Sequence, residues 1–382
     1  MENVQKKSIL IFIDWFTPGY KAGGPTRSMA NMSDHLAGDF NLFIVTRNTD
    51  YMETEPYHSV IVDKWNLIAT NVHVFYASNK LVNLKLYKDL IGHNQYDYIY
   101  INGIFSWKFS ILPIIAAKRM RFNQIIVGSR GMLAQSALNI KFSKKILFLK
   151  IAGLLGLYSD VAFHATNSKE KDEIIQSVGR NVKIYIAENF GKKIKNPSLG
   201  IFKQSGELKL ISVARVSEEK NTLHAIRLLS QINYKISFDI YGQIYDLNYW
   251  NKCQAAIKKL PANISVSYKG SINPDEMDRL LSSYHCMFLP TKGENFGHSI
   301  FESLLAGRPV LISDQTPWQD LELHKAGKVI PLENNDHFEN ALIEMAEMNQ
   351  NEYDQWAKGA QDYANAYLAN SDLREKYLEM FS

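Results

Sequence analysis

Two glutamates, Glu294 and Glu302, stand in the stretch Gly293-Glu294-Asn295-Phe296-Gly297-His298-Ser299-Ile300-Phe301-Glu302-Ser303-Leu304-Leu305-Ala306-Gly307. A carboxylate offers paired acceptor oxygens, which suits two neighbouring hydroxyls such as those of a ribose or a hexose. Between the glutamates, Asn295, Phe296 and Gly297 form a turn in which backbone N–H groups can approach a ligand closely, because Gly297 has no side chain in the way. A second constellation is cationic: Arg215 follows the apolar run Leu210-Ile211-Ser212-Val213-Ala214, and Lys220 precedes an amphipathic helical pattern. Cations at such a turn stabilise a diphosphate that gains negative charge as it departs, and they do so more in the transition state than in the ground state. The bland alternative is solvated surface charge. The Asn-Phe-Gly turn and the apolar helix that follows argue against it for the glutamates.

These residues need elements to hold them. His285 to Pro290 is an apolar run of strand length, His298 to Ala306 has apolar residues at helical spacing, Gly307 is placed to end that helix, and Pro309 to Ser313 reads as the next buried strand. Strand, turn, helix and strand make one right-handed crossover of a parallel sheet, whose ligand crevice lies beyond the carboxyl ends of the strands. Strand-like runs recur at 8–13, 41–46, 71–76, 97–101, 124–128, 160–165 and 183–187, then at 209–214, 236–241, 264–268, 285–290, 309–313 and 328–331. Most are separated by helix-length segments, so the fold class is α/β, with two Rossmann-like parallel-sheet domains facing a cleft. The boundary falls in the polar stretch 189–198. The expected domains are 1–190, 191–360 and a helix over 361–382 that returns to the first domain.

Further candidates lie at other strand ends. Gly23 and Gly24 follow the first strand and open a helix with Pro25 in its first turn, a place where backbone amides can meet a phosphate, although Gly-Gly-Pro also marks simple turns. Asn102 ends the fourth run and can bond a hydroxyl. Arg130, in Gly128-Ser129-Arg130-Gly131, is expected to face the cleft, where a guanidinium holds an anionic acceptor or a donor phosphate, or else braces its own loop. His164 lies at the carboxyl edge of the next run, and Asn167 with Glu170 reads as a helix cap. Lys269-Gly270 ends another strand.

Composition bounds the rest. The 382 residues carry a net charge of +4, too small to argue for nucleic acid, and 46% are apolar, as in ordinary folded domains. The two cysteines, Cys253 and Cys286, have no metal or disulfide spacing and fit a reducing cytoplasm. The stretch Lys141 to Tyr158 is basic at its start, through Lys141, Lys144 and Lys145, and apolar after. It reads either as a core helix or as a helix lying on the anionic inner face of the plasma membrane.

The Glu294–Glu302 pattern, with Asn-Phe-Gly after the first glutamate and Ser-Leu-Leu-Ala-Gly-Arg-Pro-Val after the second, resembles the donor-sugar motif of retaining family-4 glycosyltransferases of GT-B fold. The Gly128 segment resembles members that build capsule, lipopolysaccharide and other surface polysaccharides. The resemblance implies transfer of a sugar from a nucleotide-sugar, with a UDP-sugar expected, to a glycan or polyprenyl-linked acceptor. It implies that Glu294 touches the sugar and Glu302 the ribose. Arg215 and Lys220 would face the diphosphate and Gly23 and Gly24 would lie near it. Lys269, Asn295, Phe296, Gly297 and Ser299 would complete the donor side, and Asn102, Arg130 and His164 the acceptor side. Many members have a histidine where Asn102 stands, and Asn102 cannot titrate near neutral pH. The chain has no Asp-x-Asp triad, so no metal and no cofactor is expected. A nucleotide-sugar epimerase of the same architecture and a non-catalytic nucleotide-sugar-binding protein are the rival readings.

Overall fold

The computed structural model describes residues 6–134, 142–193 and 200–382. The chain forms two compact units, one of residues 1–190 with 371–382 and the other of residues 191–370. Unit 1 has an eight-stranded sheet. Its strands are β1 (Ser8–Ile13), β2 (Asn41–Arg47), β3 (Trp65–Ala69), β4 (Val72–Ala77), β5 (Tyr98–Asn102), β6 (Ile125–Gly128), β7 (Ala162–Ala165) and β8 (Ile184–Ile186). Their order is β3-β4-β2-β1-β5-β6-β7-β8. Every pair is parallel except β3 with β4. The central strands are fully buried, Ile9 to Phe12 and Ile99 to Ile101 being closed off from solvent, as a sheet covered on both faces requires.

The antiparallel β3 is the strand that apolar runs do not reveal. It is a half-exposed edge strand whose Leu67 and Ile68 face solvent, and it turns into β4 through Thr70 and the left-handed Asn71. Asparagine tolerates that backbone region because its short polar side chain bonds locally.

Unit 2 has a six-stranded parallel sheet, in the order β11-β10-β9-β12-β13-β14. The strands are β9 (Glu207–Val213), β10 (Lys235–Tyr241), β11 (Ile264–Gly270), β12 (Cys286–Leu289), β13 (Val310–Ser313) and β14 (Gly327–Ile330). Apolar side chains pack on both faces: Phe238, Phe288 and Phe338 on one, Ile300, Phe301, Leu304 and Trp318 on the other. Both cysteines are buried and unbonded.

The expected return of 361–382 to the first domain begins later in the chain. Helix Gln350–Ala369 is continuous and belongs whole to unit 2, where Ala360 and Ala364 are buried and Tyr367 packs on Phe301 and Trp318. The break comes at Asn370, and helix Ser371–Met380 belongs to unit 1. There Lys376 pairs with Glu188 at 3.0 Å, Tyr377 stacks on Phe190, and Phe381 packs against Phe40, Tyr98 and Tyr100. Residues 194–198 of the proposed boundary stretch lie outside the described residues.

One glycine fixes the edge of the second sheet. Gly242, just after β10, has φ +145°, and a Cβ there would sit 1.8 Å from the carbonyl oxygen of Ala214. Gly242→Ala is therefore expected to destabilise unit 2 by at least about 3 kcal/mol. At Gly24, by contrast, a Cβ meets no atom within 4 Å, and Gly24→Ala is expected to keep stability within about 0.5 kcal/mol. Urea titrations of the two variants check this, and equal midpoints would refute it.

Candidate active site

The loops after β9, β12 and β13 meet at the carboxyl edge of unit 2. Asn221, held at φ +59°, donates from Nδ2 to the carbonyl of Pro290 at 3.0 Å. The carbonyl of Glu219 accepts from the Lys292 N–H at 2.8 Å and from Thr291 Oγ1 at 3.2 Å. The Glu294 N–H donates to the carbonyl of Gln315 at 3.0 Å. On this frame Lys220, only 8% exposed, places its ammonium 2.9 Å from Glu294 Oε1, 3.0 Å from the carbonyl of Gly293 and 3.5 Å from Glu219 Oε1. The cation of one sequence constellation and the first glutamate of the other thus share a buried ion pair, although 73 residues separate them from Lys220 to Gly293.

Helix His298–Leu305 begins at Gly297, whose φ of +78° is left-handed. Every residue of this helix is buried, Ser299 and Glu302 included. Glu302 is thus a carboxylate set inside the fold, not on a solvated face, and a buried carboxylate has to be matched by polar partners. Phe296 has a part in packing: its ring lies among Phe301, Trp318 and Tyr367, and its carbonyl accepts from Trp318 Nε1 at 2.6 Å. The turn that carries Asn295 and Gly297 is anchored through this ring. A Cβ on Gly293 would meet no atom within 4 Å, so the backbone there is open to approach.

Arg215 is the exposed partner of this group. Its side chain is about half exposed, pairs with Glu219 at 3.2 Å and lies over the ring of Tyr245 at 5.6 Å. Lys269 lies 3.6 Å from Asp239, which also accepts from the Tyr284 hydroxyl at 2.7 Å. Together these loops present two cations, Arg215 and Lys220, beside Glu294. That arrangement can hold a diphosphate on the cations and a hydroxyl-bearing group on the carboxylate. Among the described residues, no cluster of histidine, cysteine, aspartate and glutamate could hold a metal ion.

In unit 1, Gly23 has φ +79° and Gly24 starts helix Gly24–Leu36, with no atom within 4 Å of a Cβ at either. The loop before them is tied down by a residue that sequence reasoning missed. Asp50, buried after β2, accepts from the N–H groups of Tyr20 and Lys21 at 3.0 and 3.2 Å. An aspartate in a polar loop gives no signal of such a bond, since its partners lie 30 residues away.

Arg130 does not face open space as expected. It is 9% exposed and donates from Nε to Asn102 Oδ1, from Nη1 to Asn189 Oδ1 and from Nη2 to the Tyr100 hydroxyl, at 2.7, 2.7 and 2.8 Å. Its loop-bracing alternative is the one the geometry realises, because its donors are committed to internal oxygens. His164 is likewise enclosed. Tyr100, accepting from Arg130, donates to His164 Nδ1 at 2.7 Å, so Nε2 carries the proton and donates to the carbonyl of Ala187 at 2.8 Å. Burial, and then the Arg130 charge, push His164 down to about 3. Asn102 keeps one free group: its Nδ2 is buried with no partner.

Asn167 does cap its helix, with Oδ1 accepting from the Glu170 N–H at 2.8 Å. The Glu170 carboxylate accepts instead from Ser129 Oγ, the Gly131 N–H and both donors of Thr166. Burial works to raise this carboxyl, but those hydrogen bonds outweigh it and hold it below the usual range.

The basic, apolar stretch forms helix Phe142–Leu154, and its two faces differ. Ala152 is buried, Phe148 packs on Phe105 at 5.6 Å, and Lys145 lies over the Phe105 ring. On the other face Leu147, Ile151, Leu154 and the following Leu155 are 59, 46, 88 and 79% exposed. Lys141 lies outside the described residues. Among the described residues no helix is long and apolar enough to cross a membrane.

Comparison with known proteins agrees with this geometry. Residues 200–363 match the family model described as glycosyl transferases group 1. No curated protein matches the chain by sequence. Solved structures match its fold along nearly its whole length. Sucrose-phosphate synthase from Thermosynechococcus elongatus has a TM-score of 0.69 at 12% identity, covering 98% of each chain. Anabaena HepE in complex with UDP and glucose also has a TM-score of 0.69, at 14% identity and 98% of each chain. Staphylococcus aureus TarM, in a complex that includes UDP and alpha-GlcNAc-glycerol, has 0.64 at 13% identity, covering 98% of this chain and 100% of the other. The fold is that of the GT-B glycosyltransferases.

The buried histidines give the fold an acid limit. His285 accepts at Nδ1 from the Lys209 N–H and donates from Nε2 to the carbonyl of Phe202, and burial pushes it down to about 4. His285 and His164 are thus held below their ordinary value, so the unfolded chain takes up protons first as pH falls. The stability they contribute is fully present above about pH 6.5 and is lost as pH falls toward 4. Between pH 7 and pH 5 each is expected to account for roughly 2 kcal/mol. Urea unfolding at the two pH values checks the loss, and His285→Gln should flatten it in unit 2. A midpoint indifferent to pH in this range would refute the assignment.

Proposed function

We propose that this group 1 glycosyltransferase moves a sugar from a UDP-sugar to a glycan or polyprenyl-linked acceptor in surface-polysaccharide biosynthesis, keeping the donor's anomeric configuration. The observation that carries the reading is the buried contact of Lys220 with Glu294 beside the half-exposed Arg215, inside the segment that matches the family model. The nucleotide preference is supported by the UDP found in the structures of HepE and TarM.

In this reading Arg215 and Lys220 hold the diphosphate, Glu294 positions the sugar hydroxyls and Glu302 the ribose. Gly297, Ser299 and Asn295 complete the donor contacts, with Lys269 beside the base and the open backbone at Gly23 and Gly24 near the phosphates. As the glycosidic bond breaks, negative charge builds on the departing diphosphate. Lys220 is already desolvated there and reorganises little, so its field acts most strongly at that moment. The acceptor hydroxyl attacks from the same face as the leaving group, and the departing phosphate takes its proton. No metal ion is needed, because the two cations occupy the place where one would act. Asn102, with its unpartnered Nδ2, is the acceptor-side residue, while Arg130 and His164 hold it in place. The exposed aliphatic face of helix Phe142–Leu154 rests on the cytoplasmic surface of an anionic membrane, which brings the enzyme to a lipid-linked acceptor.

Release of nucleoside diphosphate from a panel of nucleotide sugars tests the reading. Arg215→Ala is expected to lose roughly 2–4 kcal/mol of transition-state stabilisation with the fold intact, since its side chain is half exposed. Lys220→Ala should lose at least as much rate and also stability, because it leaves Glu294 buried without its cation. Normal turnover in a folded Arg215→Ala protein would sink the diphosphate site. Activity is further expected to survive excess chelator, and proton NMR of the product is expected to show the donor's anomeric configuration. Loss restored by magnesium, or an inverted anomer, would overturn the respective claim.

A further inference from the structure

Unit 1 has a second concave surface, at the amino ends of its strands and so at the edge opposite Asn102 and Arg130. The segments that precede β6, β7 and β8, with helix Phe142–Leu154 and the turn after it, enclose a groove of about 700 Å³. That volume lies in the range of small-molecule sites. Arg180 and Lys183, both exposed, line it, and Asp160 is the one carboxylate among its lining residues. Arg180 has no ion-pair partner among the described residues. Lys183 lies over the ring of Tyr185 at 4.6 Å. The wall between helix and β7 is braced, because Lys118 Nζ donates to the carbonyls of Gly156 and Ser159, each at 2.7 Å.

The same helix joins this groove to the exposed aliphatic row. Leu149, Ala152 and Gly153 line the groove, while Leu147, Ile151 and Leu154, spaced four and three apart, share the outer face. Lys144 and Lys150, each three positions from Leu147, flank that row, and no acidic residue occurs between Phe142 and Ser159. An aliphatic row flanked by cations, ending at a groove with two more, is the pattern an anionic bilayer complements: acyl chains for the row, phosphates for the cations. A guanidinium suits a phosphodiester because it can bond two oxygens at once.

We propose that the groove binds the phosphodiester headgroup of an anionic phospholipid, with Arg180 and Lys183 as its cations and the aliphatic row immersed beside it. The inference rests on the membrane contact proposed above and adds a headgroup site to it. Sedimentation of the full chain with vesicles of phosphatidylglycerol and phosphatidylcholine in equal parts, and with phosphatidylcholine alone, tests it. The wild type is expected to bind the mixed vesicles. Arg180→Glu with Lys183→Glu should weaken that binding by about tenfold or more, down to the level seen with phosphatidylcholine alone. Leu154→Ser with Leu155→Ser should abolish binding to both, and release of nucleoside diphosphate should be unchanged in either double variant. If the charge-reversed protein binds mixed vesicles like wild type, the headgroup site is wrong while the membrane contact stands. If the wild type binds neither vesicle at low salt, both fall, and a concentration-dependent dimer broken by Leu154→Ser would assign the row to a second copy instead. Displacement from vesicles by sn-glycerol 3-phosphate at equal affinity would make the groove a site for soluble phosphates and overturn the lipid assignment.

Discussion

A buried charge with a partner on another loop constrains everything around it. Lys220 is nearly closed off from water, and an ammonium in that position has to be met by oxygen atoms on most sides. Glu294 and the carbonyl of Gly293 supply them, and both come from the loop after β12. The loops after β9 and β12 therefore cannot move apart without stranding two charges, which costs more than any single surface contact returns. The backbone bonds through Glu219, Asn221 and Thr291 repeat the same constraint in neutral form. A site held this way is preformed, and a ligand phosphate meets cations already stripped of much of their water. Arg215 escapes the constraint because it stands half in solvent, with Tyr245 and Glu219 as loose guides.

Unit 1 solves the same problem with a different outcome. Arg130 and Glu170 are both buried beside the ends of β5, β6 and β7, yet neither presents its charge outward. Arg130 spends its donors on Asn102, Asn189 and Tyr100. Glu170 accepts from Ser129, Thr166 and Gly131, so the two charges stabilise one connected polar core. The neutral His164 closes that network against the strand backbone. A charged side chain at the carboxyl edge of a parallel sheet can thus be framework as readily as site, and only its partners decide which.

This marks where the sequence was informative. Repeating apolar runs placed the parallel strands of both sheets to within a few residues, because a sheet covered on both faces leaves no other pattern. The edge strand β3 escaped because half of it faces solvent. The Glu294 to Gly307 stretch was legible as a site since its turn, helix and carboxylates are contiguous. The Lys220–Glu294 pair, the Asp50 anchor and the inward turn of Arg130 were not, because each depends on a partner far away in the chain. Helix Phe142–Leu154 lies between these cases: its sequence allowed both a core and a surface reading, and the structure gives one to each face.

The passage of the chain from unit 1 to unit 2 and back has a consequence for the order in which the protein is made. Residues 191–370 emerge as one continuous segment, so unit 2 has all of its own chain before residue 371 is joined. Unit 1 does not, although most of it is synthesised first. The aromatic slot formed by Phe40, Tyr98 and Tyr100 receives Phe381, and Glu188 and Asp39 receive Lys376 and Arg374. On the ribosome the earlier-made unit is therefore completed later, with part of its apolar surface uncovered while the second sheet is being threaded out.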